Sequence, residues 1–592
     1  MAGLCLVTNG LSVENMIKNL NSSPYLETKE SYKDDILQIS QVSLKVNDFK
    51  PLVKDDIVVF VEGYVYNLED TNSIFNLACE TFLHQLIEAY KNNFLSDLLK
   101  KTNGFFTALL YDIVNKKILV ISDRLGTRFT YYYHKDNLFA CCGEVKGFLD
   151  FENIDRTIDK TTIECFINEN KIFYPLGNTT FFENIKLINP ASILEYDIES
   201  NTINSKYYWT FAEIKPSDIT YEDAIDCLHD LVEKAVLRRI KTIPLNEIEL
   251  PLSGGLDSRL LFAILNNHNK MPDFIYTNGV DNCTDVVYAK KLCKKYHYKH
   301  YTNYPIKSKN YVNAGKNIPW VCGDGMVTFF EQNTFNYLST KPFLLMGYLG
   351  DVIFGKSLKE DKSLLDVKMT QEIAEKSYGK FYKLSDYESS YYDINKIEPS
   401  LLMNRLRRYT AQMVNVDLNY NECILPYIDN DIIDFIYSLP DSYRADNNLY
   451  ADMLLKYYPE YFKNIPWNRN NLPIQGKIYR NNKGNINALI EKISKLRFLS
   501  PKWKNSIIKR INLNNILYLK TFQTFTKELT CNKNLKLIKK EYINNDSLLK
   551  QYVSNEVWQN ILEYLSNKNA WKISLILTVE FYLRTLRDKK YI

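Results

Sequence analysis

Eight consecutive residues, Leu252-Ser253-Gly254-Gly255-Leu256-Asp257-Ser258-Arg259, have the types and spacing of a phosphate cradle. They follow a strand-like run, Ile248 to Leu252, and open into Leu260-Leu261-Phe262-Ala263-Ile264-Leu265, which reads as the buried face of a helix. A strand that ends in Ser-Gly-Gly and turns into a helix leaves the first helical amides unpaired, and the helix dipole adds partial positive charge there. Paired glycines let the backbone approach a ligand closely. Ser253 and Ser258 can donate to phosphate oxygens. A carboxylate at 257 would repel bare phosphate, so Asp257 predicts a bridging Mg²⁺. A plain strand-to-helix turn needs neither two glycines in a row nor hydroxyls around an acid. No lysine follows the glycines, which separates this loop from the GxxxxGK(S/T) type.

The elements that must hold the loop are legible on either side of it. Thr220 and Asp223 have the spacing of a helix cap, and Ala224, Leu228, Leu231, Val232, Ala235 and Val236 then recur at helical spacing. A second strand is predicted at Phe274-Ile275-Tyr276-Thr277-Asn278, followed by a further turn into helix at Asp285-Val286-Val287-Tyr288-Ala289. Strands alternating with helices imply a parallel sheet with its ligand at the carboxyl ends of the strands. Residues 1 to about 208 differ. Short apolar runs such as Ile57–Val61, Thr107–Tyr111 and Lys117–Ile121, broken by polar turns, predict stacked antiparallel sheets.

At 592 residues the chain has room for several domains, and 45% hydrophobic with 24% charged residues is the balance of a globular protein. The net charge of +4 names no partner. No apolar run reaches the roughly 18 residues a membrane helix needs, and no secretion signal is visible, so no membrane association is expected. The eleven cysteines lack CxxC spacing and predict reduced thiols in a cytoplasm. His297 and His300 stand close to zinc-ligand spacing but lack cysteine or acid partners nearby, and read as structural. Lys and Arg crowd residues 477 to 540, with Trp503, Phe522 and Phe525 interleaved. That segment reads as solvated helix faces, and a nucleic-acid partner is not expected. A last helix is predicted from Trp571 to Leu586.

The loop resembles the SGGxDS pyrophosphate loop of the ATP pyrophosphatases, and its LSGGLDS spelling is similar to that of the asparagine synthetase family. That family includes glutamine-dependent enzymes, β-lactam and carbapenam synthetases, and macrolactam-forming cyclases of lasso peptides. The resemblance extends through the N-terminal half in Glu62-Gly63-Tyr64-Val65-Tyr66-Asn67, Gly104-Phe105-Phe106 to Asp112, Ser122-Asp123-Arg124-Leu125-Gly126-Thr127-Arg128, Gly143-Glu144-Val145-Lys146 and Tyr207-Tyr208-Trp209. The implied fold is an α+β N-terminal nucleophile-type sandwich over 1–209. An α/β ATP pyrophosphatase (adenine nucleotide α-hydrolase-like) domain with a helical C-terminal part follows over 220–592. A glutaminase of this kind needs a cysteine at position 2, where this chain has Ala2. The family's oxyanion-hole Asn is replaced by Glu62, and the Glu that holds the glutamine amine by Tyr64. The resemblance therefore implies a glutaminase-like module without glutaminase activity.

In the second half Gly347-Tyr348-Leu349-Gly350-Asp351-Val352-Ile353-Phe354-Gly355 resembles the family's GEGADELFGG, and Asp351 is expected to join Asp257 as a metal carboxylate. Tyr348 stands where asparagine synthetases have Glu. β-Lactam synthetases have a tyrosine there that works with an acid as general base, which implies a catalytic Tyr348 and a link to the amine-using branch. Gly347, with Tyr276 or Thr277 through backbone, is expected to contact the nucleotide. Leu425-Pro426-Tyr427-Ile428-Asp429 resembles VPFLD, but the family's essential lysine is missing around Asn448-Leu449-Tyr450-Ala451-Asp452. Lys456, Lys463 and Arg469 are the candidate replacements, and Arg259 adds charge beside the phosphates. The implied reaction uses ATP and Mg²⁺ to adenylate the carboxylate of a small molecule or peptide, with pyrophosphate released. An amine or ammonia then displaces AMP. Macrolactam closure on a peptide, with a maturation partner, and a catalytically impaired nucleotide-binding scaffold are the alternatives.

Overall fold

The computed structural model describes residues 3–151, 153–168, 176–304, 311–327, 341–356, 358, 364–378, 382–468, 472–478 and 529–592; the side chains of 168, 351, 386 and 387 lie outside that description. Two antiparallel sheets come from the first 207 residues. The strand Gly3–Thr8 lies between Leu138–Cys142 and Leu37–Leu44 in one, and Gly104–Asp112 lies between Ile57–Val65 and Lys117–Ser122 in the other. Strand alternation explains how they stack. Leu4 and Leu6 from the first sheet meet Val58, Phe60, Leu109 and Val120 from the second in one buried cluster. The intervening residues Val7, Val59, Val61, Leu110 and Ile121 pack outward into the main core. The helices Glu14–Leu20 and Phe82–Lys91 lie against these sheets, giving a mixed α/β sandwich.

Beyond residue 220 the sheet type changes. The helix Tyr221–Ile240 begins where Thr220 Oγ1 accepts from Asp223 N at 3.2 Å, and it buries Ala224, Leu228, Val232, Ala235 and Val236. Five strands follow in the spatial order Tyr301–Asn303, Phe274–Asn278, Ile248–Pro251, Phe343–Leu345, Glu422–Ile424, all parallel. Numbered along the chain this is 3-2-1-4-5, and strand order reverses on either side of Ile248–Pro251. Ligands in open parallel sheets bind at that switch point, outside the carboxyl ends of the strands. The helix Asp257–Asn267 fills its position so fully that every residue from Leu260 to Leu265 is buried. The C-terminal helix, Ala570–Asp588, is buried over most of its length, and Lys572 Nζ reaches Ile167 O at 2.8 Å in the N-terminal half. No helix among the described residues is long and apolar enough to cross a membrane. Most of the basic stretch 477–540 lies outside the described residues.

Candidate functional site

The loop starts where the central strand Ile248–Pro251 ends. Leu252 N donates to Tyr276 O at 2.7 Å, extending the sheet by one residue before the chain turns. Ser253 N then donates to Ser258 Oγ at 3.0 Å, the two hydroxyl oxygens lie 3.0 Å apart, and Gly255 N donates to Ser253 Oγ at 3.1 Å. The two serines thus pin the ends of the bend to each other. Leu252 and Leu256 are buried and anchor it in the core, so their contribution is backbone.

Gly347 and Gly350 bring the next strand's turn onto this bend. A Cβ at 347 would lie 2.5 Å from Ser258 N, and one at 350 would lie 2.9 Å from Asp257 Cγ. Only a hydrogen fits in either place. The turn leading into Gly350–Ile353 is therefore pressed against Asp257, and Asp351, whose side chain lies outside the described residues, follows at once. The Asp257 carboxylate suits a hard cation that takes oxygen ligands, so Asp257 is the described residue here that could hold Mg²⁺. Asp257 is itself held. Tyr450 donates its hydroxyl to Asp257 Oδ1 at 3.1 Å, and Tyr427 donates to Asp257 O at 2.7 Å. The sequence places Tyr427 in the VPFLD-like segment and Tyr450 where the family lysine is sought, but nothing in their spacing among 44 tyrosines shows that both reach Asp257.

Several expected residues sit elsewhere or in a different state. Lys456 is bound to Asp226, which also accepts from Tyr457 Oη at 2.7 Å. Helix geometry explains the loss: Tyr450 faces Asp257, and six residues later the side chain has rotated by about 240°. Lys463 is exposed, and Arg469 lies outside the described residues. The Tyr348 hydroxyl is buried, and burial pushes the phenol well above its ordinary value, with Thr410 and Arg405 offsetting only part. A phenol in that state keeps its proton, which counts against the expected base role. Arg259 was expected beside phosphates. Its buried guanidinium instead donates to Ile465 O, Gly254 O and Pro466 O at 3.0, 2.7 and 2.9 Å, and burial lowers its pKa to about 10. Thr277 gives its hydroxyl to Leu252 O at 2.5 Å, which leaves the expected backbone contact untouched.

In the N-terminal half Glu62 is 1% exposed and paired with Arg128 and Gln41. Burial lifts its carboxyl above the usual range against the pull of Arg128. Arg128 also binds Glu422 Oε1 at 2.6 Å, and Tyr64 donates to Asn47 Oδ1 at 2.8 Å. Glu62 and Tyr64 are thus both committed to internal bonds.

A glutamine amidotransferase domain family matches residues 37–209. A Methanocaldococcus jannaschii protein named "Putative asparagine synthetase (glutamine-hydrolyzing) 2" is 24% identical over 51% of this chain and 59% of its own length. Asparagine synthetase (glutamine-hydrolyzing) 2 of Bacillus subtilis is 23% identical over 47% of this chain and 39% of its own. The chain thus spans between about two fifths and three fifths of those relatives. Among solved structures, a B. subtilis glutamine phosphoribosylpyrophosphate amidotransferase is 9% identical over 50% of this chain and 65% of its own, with a TM-score of 0.25, too low to argue from. The matched amidotransferase module and these relatives point the same way: the chain is similar to asparagine synthetases.

Proposed function

We propose that this chain is an ATP-dependent ligase that forms amide bonds. One observation carries the reading: the serine-pinned bend 253–258 sits at the carboxyl end of the central parallel strand, with the Gly347–Gly350 turn packed onto it. A substrate carboxylate oxygen attacks the α-phosphorus of ATP, the bond to pyrophosphate breaks, and an acyl-adenylate forms. An amine or ammonia nitrogen then attacks the acyl carbon, gives up a proton, and AMP departs with the C–O electrons. Ser253, Ser258 and the first turn of the helix Asp257–Asn267 bind and orient the phosphates. When bound, Mg²⁺ held by Asp257 and Asp351 would neutralise charge on the pyrophosphate. The domain containing this site is taken as the ATP pyrophosphatase part, 220–592, after a glutaminase-like part, 1–209.

Glu62 and Tyr64, tied up in internal bonds, support a module that no longer hydrolyses glutamine. Nitrogen then comes from free ammonia, a separate amidotransferase, or an amino group on the substrate itself. Ring closure on a small molecule or peptide is the special case of the last. The eleven cysteines, all thiols, suit a reducing cytoplasm. A nucleotide-binding scaffold is the second reading, favoured by the diversion of Lys456 to Asp226. Incubation with α-labelled ATP, Mg²⁺ and a panel of carboxylates and amines separates the two. The ligase yields AMP and pyrophosphate that depend on the carboxylate. Tight ATP binding with no AMP from any substrate would favour the scaffold.

A further inference from the structure

The two glycines of the bend do different work. Gly254 N donates to Asp285 Oδ1 at 3.0 Å, and its carbonyl accepts from Arg259 Nη2 at 2.7 Å and Asn468 N at 3.2 Å. A Cβ at Gly254 would meet Tyr288 Cδ2 at 2.8 Å and Asn468 Cβ at 3.0 Å, so this residue is packed against protein. The same Asp285 oxygen accepts from Asn468 Nδ2 at 2.6 Å. Asp285 is 8% exposed and lies in the first turn of the helix Thr284–Lys295. Three separate pieces of chain, the bend, the 284–285 turn and the 465–468 segment, therefore converge on Gly254. Arg259 and Asp285 each grip one side of it.

We infer that Asp285 is a positioning residue for the nucleotide's phosphates, an inference that rests on the ligase reading above. A carboxylate accepting from a backbone amide makes a charge-assisted bond, stronger than a neutral one. It takes the Gly254 amide out of the anion cradle and fixes a Gly-Gly peptide that would otherwise have wide conformational freedom. The donors left for phosphate are the serine hydroxyl that does not donate to its partner and the amides of the first helical turn, and they are presented as one preorganised set. Asp285 touches no substrate in this arrangement; it acts through Gly254.

The test titrates the full-length protein with MgATP, magnesium pyrophosphate and adenosine by calorimetry. Asp285→Ala is expected to weaken MgATP and pyrophosphate by about tenfold, the loss of one strong hydrogen bond, while leaving adenosine within about twofold. Asp285→Asn keeps an acceptor oxygen in place and recovers most of the affinity. Asn468→Ala, which attacks the same junction from the other side, shows the same selective loss and serves if Asp285→Ala does not fold. Equal weakening for adenosine, or wild-type affinity in both alanine variants, would overturn the positioning role while leaving the nucleotide site standing. Wild type that binds no MgATP would remove the ligase reading, and this inference with it.

Discussion

Asp257 is fixed from two sides by phenols that arrive from 170 and 193 residues away, Tyr427 on its carbonyl and Tyr450 on its carboxylate. A side chain that binds a cation must already point correctly, because orientation lost before binding is subtracted from affinity. Tyr450→Phe removes one hydroxyl donor and no packing. The expected result is MgATP affinity weaker by about five- to tenfold, near 1 kcal/mol, with thermal stability almost unchanged. Unchanged affinity by calorimetry would mean that Tyr450 only fills space. This is also where sequence reading stops. The bend was legible because glycine and hydroxyl spacing within eight residues is a local property. Tyr450, Tyr427, Asp285 and Asn468 reach it through contacts that no spacing encodes. Lys456 failed for a related reason: proximity along the chain says nothing about which face of a helix a side chain takes.

At the level of elements, strand and helix types were legible while the joints between them were not. The cap at Thr220, the strand Phe274–Asn278 and the apolar alternation of residues 57–121 each follow from local chemistry. The link between the strands Phe274–Asn278 and Tyr301–Asn303 does not. Thr277 donates its hydroxyl to Leu252 O, so His300 Nε2, 2.8 Å from Thr277 Oγ1, must carry the proton and donate to it. Nδ1 is then an acceptor, buried and without a partner among the described residues. Burial, with a smaller push from Lys290, lowers the His300 pKa to about 4. The folded imidazole thus resists a proton that the unfolded chain takes up near pH 6.5. Its contribution to stability is fully present above about pH 6.5 and is lost as pH falls towards 4. His300→Gln keeps a donor for Thr277 but does not titrate. Its melting temperature should fall less than that of wild type across this window. Parallel profiles would show that His300 is not the group responsible.

Across the whole molecule the two sheet systems are joined by polar and charged pairs, most of them buried. Arg124 meets Asp434 at 2.7 Å, Asn103 donates to Asp429 at 3.0 Å, and Tyr131 donates to Asp324 at 2.7 Å, each pair spanning the two halves. Arg128 is the deepest of these links. With about 1% of its side chain exposed, it binds Glu62 of the N-terminal sheets and Glu422 of the parallel sheet, and Asn47 adds a bond to Glu422 at 3.0 Å. Glu422 belongs to the strand next to Phe343–Leu345, which leads into the Gly347–Gly350 turn. The N-terminal half therefore supports the strand layer that carries the candidate site. Arg128→Met would leave two buried carboxylates without their cation, a change that costs about 3–5 kcal/mol where buried pairs are broken. Denaturant unfolding should show that loss in a single transition reported alike by both halves. Combining Arg128→Met with Glu62→Leu and Glu422→Leu should restore much of it, because an apolar trio of similar volume needs no desolvation of charge. A loss below about 1 kcal/mol in the single variant, or two separate transitions in wild type, would mean that the halves are independent and that Arg128 does not couple them.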